Sequence, residues 1–170
     1  MSFNIIQNKF LVGHLLNFNE NNKNHLDFIY ALNAALYNTT EEMYEYIYDT
    51  VCNCLDDSFV GKNLCEFKND QCAPNRLSGR TMGCCYNLNF FCSLNSPVLC
   101  IHLKNKSCSA NCISCKFITC SYLEKKGIKF RVNDFLLLNT YFNIWQKLIV
   151  KYSCFKSKSC ILKRLSLLKS

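Results

Sequence analysis

Eight of the chain's fourteen cysteines fall in one stretch, at Cys84, Cys85, Cys92, Cys100, Cys108, Cys112, Cys115 and Cys120. Thiols at that density hold either one another or a metal. Cys112-x-x-Cys115 has the spacing that lets two thiolates on one tight turn face a single ion, and Cys108, four residues earlier, adds a third candidate ligand. Zinc takes four thiolate or imidazole ligands and iron-sulfur clusters typically take four thiolates, so eight cysteines suffice for two sites. The adjacent side chains of Cys84 and Cys85 tend to point apart, so the pair serves two neighbouring sites or places one thiol in a cluster. His102, two residues after Cys100, either completes a site, orients a ligand from outside it, or lies exposed. A catalytic zinc keeps one position open for water and usually recruits histidine or carboxylate. This surplus of sulfur therefore predicts a closed site, structural or redox in character, and no catalytic residue.

The elements Gly83-Cys84-Cys85, Cys100-x-x-Leu103, Cys108 and Cys115-Lys116-Phe117-Ile118 resemble the C-terminal parts of the CxxCxxCC cysteine-cluster proteins of the YkgJ type. That family's pattern is a glycine-led double cysteine, Cys-Pro-x-Leu, a lone cysteine and an Arg-Pro-x-x-Cys-Arg-x-Phe element. Ile101 stands where the family has proline, no Arg-Pro pair precedes Cys115, and no CxxC lies immediately before Cys84. The family is regarded as zinc- or iron-chelating, and an iron-sulfur flagellin lysine methylase resembles it in its cluster. The resemblance spans residues 83–120. It implies zinc or an iron-sulfur cluster as cofactor and Cys84, Cys85, Cys100, Cys108 and Cys115 as ligands, with Cys112 and Cys120 as local additions. A methylase-like iron-sulfur enzyme is the catalytic alternative it carries.

Other chemistries lack their signatures. The sequence has no glycine-rich phosphate loop, nucleotide fingerprint, H-E-x-x-H zinc helix or CxxxCxxC radical motif, and Asp56-Asp57 reads as a solvated helix end. The N-terminus has no early basic region, no long apolar run and no small-residue cleavage site, and no stretch reaches the roughly 20 apolar residues of a membrane span. These features predict a cytoplasmic, reducing setting, where clustered cysteines bind metal more often than they pair. The even cysteine count keeps a secreted, disulfide-bonded protein as a further alternative. Charge is segregated: residues 1–57 carry two lysines against eight acidic groups, residues 58–170 carry eighteen basic groups against four, and no acid follows Asp134. The basic part predicts an acidic protein, a nucleic acid, or the chain's own N-terminal segment as its partner. A nucleic-acid or protein interaction module with structural zinc is the second function class.

These residues need elements to position them. With 49% hydrophobic and 14% aromatic residues against two prolines and five glycines, 170 residues predict one mainly α domain with its own core and an irregular cysteine-rich metal-binding segment. Its parts are a helical hairpin within 1–57, the cysteine segment at 58–127 and a C-terminal helical segment at 128–170. Residues 1–24 read as a strand or an irregular arm. The first helix starts at Leu26, with Leu26, Ile29, Tyr30, Leu32 and Leu36 apolar and Ala31, Ala34 and Ala35 between them. Thr39-Thr40-Glu41-Glu42 fits a capping box opening a second helix that buries Met43, Ile47, Val51 and Leu55 and ends near Cys52 and Cys54, thiols that either ligate or pack. Residues 116–126 predict a helix stopped by Gly127, followed by an extended 128–132. A helix capped by Asn133 or Asp134 then runs to Tyr152, with Leu138, Tyr141, Phe142, Trp145, Leu148, Ile149 and Tyr152 on its core face. Cys154 and Cys160 read as free thiols around a polar KSKS segment. The basic tail, with Ile161, Leu162, Leu165 and Leu168 at helical spacing, packs on the domain or lies on an anionic membrane.

Overall fold

The computed structural model describes residues 25–69, 72–78, 103–104, 107–108 and 111–168. Within them the chain is mainly helical. It enters through α1 (His25–Ala34) and turns at Thr39 into α2 (Thr40–Asp56), at 17 residues the longest described helix. The Thr39 hydroxyl accepts the Glu42 N–H at 3.3 Å and donates to the Glu42 carboxylate at 2.8 Å, satisfying one of the orphan donors of the first turn. Tyr44, Ile47, Tyr48, Val51, Cys52 and Leu55 are buried along α2, as its four-residue recurrence predicts. The first helix and three of the later ones pack on this helix.

α1 presents the opposite face to the one its leucines suggest. Ala31 and Ala34 are fully buried, whereas Leu26, Ile29, Leu32 and Leu36 are exposed. Small side chains let α1 approach α6 (Leu136–Tyr141) closely enough for the Tyr141 hydroxyl to donate to the Ala31 carbonyl at 2.6 Å. Leucines at the alanine positions would hold the helices apart.

A π turn at Asp57–Gly61 ends α2, and a short α3 (Ala73–Ser78) replaces part of what reads as loop, tied back by the Ala73 N–H to the Cys65 carbonyl at 2.9 Å. Two-residue strands β1 (Leu103–Lys104) and β2 (Ser107–Cys108) pair antiparallel, with Leu103 opposite Cys108. Of the helix expected over 116–126 only Ser121–Lys125 forms, as α5; a separate α4 (Ile113–Lys116) precedes it, and the two are divided where Phe117 turns into the core and meets the Phe135 ring edge-on at 5.4 Å. Gly127, at φ +74°, ends α5 as expected. Its N–H bonds the Glu124 carbonyl and the Ile128 N–H bonds that of Leu123, the two reverse bonds of a Schellman stop.

The long C-terminal helix is likewise broken. A 3-10 turn (Val132–Asp134) precedes α6, with the Asp134 carboxylate reaching back to the Arg131 N–H at 2.8 Å, so neither Asn133 nor Asp134 caps a helix; Phe135 occupies that position. Asn143 then starts α7 (Ile144–Tyr152), because Asn143 and Gln146 exchange side-chain-to-backbone bonds at 2.9 and 3.0 Å in a capping box. That restart rotates the face: Leu138 and Phe142 stay in the core, but Trp145 and Tyr152 lie about two thirds exposed. Gln146 occupies the core side instead, donating to the Tyr44 hydroxyl at 2.7 Å and the Leu165 carbonyl at 3.2 Å. The tail forms α8 (Lys158–Leu167), whose Ile161 and Leu165 are buried against α2 and α7. Lys158 bonds Glu45 and Asp49 on α2 at 2.6 and 2.8 Å, and Lys116 pairs with Asp56. Part of the segregated charge is thus neutralised within the chain. No described helix is long and apolar enough to cross a membrane.

The inverted α1 face has a direct test. Ala31→Leu overpacks the α1–α6 contact and should lower the urea unfolding free energy by about 1–3 kcal/mol, while Leu32→Ala on the outer face should stay within about 0.5 kcal/mol.

Candidate functional site

Cys112 and Cys115 sit on a turn fixed from three sides. Asn111, at φ +44°, bends the chain into α4, and the buried Tyr48 hydroxyl spans the bend, donating to the Asn111 carbonyl at 2.8 Å and accepting the Ile113 N–H at 3.1 Å. Burial raises the Tyr48 pKa, which keeps the hydroxyl neutral and able to do both. From the other side the Ser114 hydroxyl donates to the Val150 carbonyl, one of the last four carbonyls of α7 and so without an amide partner in its own helix. Lys116, buried on α4, meets Asp56 at the end of α2. Two elements, α2 and α7, therefore fix four residues of sequence.

A third thiol joins them. The chain leaving α7 turns at Ser153-Cys154-Phe155, where Phe155 adopts φ +61°, an uncommon conformation for a bulky residue that costs about 1–2 kcal/mol. That conformation aims the Phe155 N–H at Cys115 Sγ, 3.3 Å away. Cys112 Sγ lies 3.4 Å from the Ser153 carbonyl, and the amides of Cys115 and Lys156 reach it as well. The single Cys112 S–H donates to the Ser153 carbonyl, and Cys112, Cys115 and Cys154 lie near enough to shift one another's acidities.

Their proximity shifts the acidities. Cys154 is lowered from the ordinary thiol value by the hydrogen bond from Cys115, against the opposing effect of burial. Cys115 is pushed up to about 11: its neighbour Cys112 lowers it, but donating to Cys154 and burial outweigh that. Cys112, beside Cys115 and fully buried, is raised furthest. The backbone amides pointed at Cys112 and Cys115 act the other way, since hydrogen bonds to a thiolate favour its charged form.

The candidate ligands of the sequence fare differently. Cys112 and Cys115 come together, and Cys154, read as a free thiol 39 residues beyond Cys115, joins them. Cys120 is buried at the N-cap of α5 and has no part in the three-sulfur set. Cys108 lies on β2, and Cys84, Cys85, Cys100 and His102 fall outside the described residues. Cys52 is a packing residue in the α2 core, its thiol raised to about 12 chiefly by burial. Cys54, half-buried, is raised by burial too.

Among the described residues no group of three or more His, Cys, Asp or Glu side chains is disposed to hold a metal ion. No family model, curated protein or solved structure matches the chain. Cys112, Cys115 and Cys154 thus do not by themselves make a metal-holding group.

The raised thiols make stability depend on alkaline pH. Folded Cys52 keeps its proton to about pH 12 while the unfolded thiol releases its own near 9.0, so its contribution is complete below pH 9 and is lost as pH rises towards 12. The loss is at most about 1.4 kcal/mol per pH unit. Urea unfolding of wild type and Cys52→Val between pH 8.5 and 11.5 should give a shallower decline for the variant; parallel profiles would show that Cys52 holds no such proton.

Proposed function

We propose that the protein is a thiolate metal-binding protein, holding zinc or an iron-sulfur cluster in a structural or redox role. Cys112, Cys115 and Cys154 supply sulfur, and the remaining ligand or ligands come from the Cys84 to Cys108 run. The observation that carries the reading is the convergence of Cys154 on the Cys112-x-x-Cys115 turn, with backbone amides directed at two of the three sulfurs. Amides so placed offset thiolate charge, and groups that orient and stabilise ligands from outside are characteristic of metal sites. Cys84, Cys85 and Cys100 remain the completing ligands that the resemblance to cysteine-cluster proteins implies. A reducing, cytoplasmic setting would keep these thiols available.

A bound metal would supply Lewis acidity or electron transfer, according to its kind. The chain's own part is to hold sulfurs at fixed positions: Tyr48 anchors the Cys112 turn, Ser114 ties it to α7, and the strained Phe155 turn delivers Cys154. Anaerobically purified protein should contain one or two metal equivalents by elemental analysis, with visible absorption only if the metal is iron-sulfur. Cys115→Ser and Cys154→Ser should each weaken retention at least about tenfold. Metal-free protein that is fully folded overturns the proposal.

A second reading rests on the acidity order. With Cys154 the most readily ionised of the three and Cys115 beside it, the same turn suits thiol–disulfide exchange: the Cys154 thiolate attacks a substrate disulfide and releases one thiol, then Cys115 attacks the mixed disulfide, leaving a Cys115–Cys154 disulfide and the substrate as its dithiol. Iodoacetamide at pH 8 followed by peptide mapping separates the two. A redox site is alkylated first at Cys154, whereas a metal-bound site protects all three thiols until a chelator is added.

A further inference from the structure

The outer face of α7 is apolar. Ile144, Trp145, Leu148 and Tyr152 are exposed along it, while Gln146 and Val150 hold the opposite face in the core. Asn143, the cap of α7, donates from Nδ2 to the Leu168 carbonyl at 3.3 Å, so the exposed Leu167 and Leu168 at the end of α8 lie beside the start of this stripe. The tail's own helically spaced Ile161 and Leu165 are in the core, and α7 presents the larger apolar surface.

The charge around the stripe is of one sign. Lys151 sits at its edge with Nζ over the Tyr152 ring at 4.9 Å, and Lys163 and Arg164 are exposed on α8 one turn before Leu167. None of the three has an ion pair among the described residues. The elements packed most extensively on α7 are α4, α8 and the 3-10 turn. They contain a single acid, Asp134, whose carboxylate is engaged by the Arg131 N–H. Glu45 and Asp49, the acids of α2 that face α8, are already bound by Lys158. No acid follows Asp134 in the chain.

We propose that α7 lies on an anionic membrane surface, with its stripe in the boundary between headgroups and acyl chains and Lys151, Lys163 and Arg164 against acidic lipid headgroups. Tryptophan and tyrosine rings favour that boundary, being apolar in body and polar at the tip. The aliphatic stems of the cations lie along apolar surface while their charges reach the headgroups. A bilayer surface supplies apolar depth and negative charge together and demands no complementary shape. A nucleic acid would meet the cations and stack on the two rings, but would leave Ile144, Leu148, Leu167 and Leu168 without apolar partners. Since Gln146 and Val150 anchor α7 in the core, the helix rests along the membrane and does not cross it. One nine-residue helix buries little apolar area, so binding is reversible and depends on the anionic lipid.

Trp145 is the only tryptophan and lies in the proposed contact, so its fluorescence reports binding directly. The anaerobically purified full chain is mixed with vesicles of phosphatidylcholine alone, or of phosphatidylcholine with an equal part of phosphatidylserine. With the anionic vesicles the emission should shift to the blue, acrylamide quenching should fall, and the protein should sediment with the lipid; added salt should weaken all three. Neutral vesicles should bind at least about tenfold more weakly, as should the variant Lys163→Gln/Arg164→Gln on anionic ones, each cation near such a surface contributing about fivefold. Leu148→Gln/Tyr152→Gln keeps the reporter and should lose the blue shift, with circular dichroism and unfolding midpoint matching wild type because both side chains are exposed. Ile144→Gln, on the same stripe, takes its place if that variant is misfolded. Equal binding to both kinds of vesicle, variants that bind as wild type does, or a Trp145 already shielded from acrylamide before lipid is added would each overturn the proposal. So would a blue shift that grows with protein concentration alone, which assigns the stripe to a second copy, or retention on a single-stranded oligonucleotide without vesicle binding, which assigns it to nucleic acid.

Discussion

The Tyr48 hydroxyl is the bond on which the thiol site depends. It joins the middle of α2 to a turn more than sixty residues later, and it does so twice, as donor to Asn111 and acceptor from Ile113. Without it, a carbonyl and an amide on either side of Cys112 would need other partners beside a buried helix. Unsatisfied buried groups of this kind cost about 1–3 kcal/mol each. Because α2 also receives α1, α4, α6 and α8, the hydroxyl fixes the Cys112 turn relative to the whole core. The phenol is buried, so its ionisation is suppressed and both bonds persist at neutral and mildly alkaline pH.

Strain on the opposite side completes the arrangement. Phe155 is half-exposed, so the left-handed conformation gains little in burial for its cost; what it gains is direction, an amide pointed at Cys115 and a thiol delivered at Cys154. Sparsely populated backbone conformations persist where their surroundings over-determine them. Here the surroundings are the Ser114 bond to Val150 and the seating of Ser153 against Cys112. The resulting gradient of acidity, greatest at Cys154 and least at Cys112, follows from the proximity of the three thiols and from burial, and it makes the three sulfurs chemically unequal.

Much of this was legible in the sequence where one residue type has one physical use. Gly127 stops α5, Thr39 opens α2, and the Ile47–Val51–Leu55 recurrence buries the face it should. Periodicity misled where it was read alone. The apolar pattern runs through Asn143, yet Asn143-x-x-Gln146 is itself a start signal, and it outweighs the pattern because it satisfies first-turn donors that a continuous helix would not have exposed. In α1 hydrophobicity pointed to the leucines, but a close helix crossing selects small side chains, and whether a crossing will be close is not written in one helix. Cys154 was invisible for a different reason: its partnership with Cys115 is created by the break between α6 and α7 and the Phe155 turn, neither of which local spacing encodes.

Those same departures expose what a regular amphipathic helix would have hidden. Had residues 133–152 formed one helix, Trp145 and Tyr152 would fall on the face of Leu138 and Phe142, inside the core. The restart at Asn143 instead places Gln146 inward, where its amide has donors and acceptors to meet, and turns the aromatics outward. Burying a polar amide while exposing tryptophan runs against the hydrophobic effect, which favours the reverse by about 25 cal/mol per Å² of apolar surface. The capping box and the three-way bonding of Gln146 offset part of that difference in the isolated chain. The restart at the N-terminal end of α7 thus leaves an apolar stripe exposed along its length, while the thiol turn is built separately at its C-terminal end.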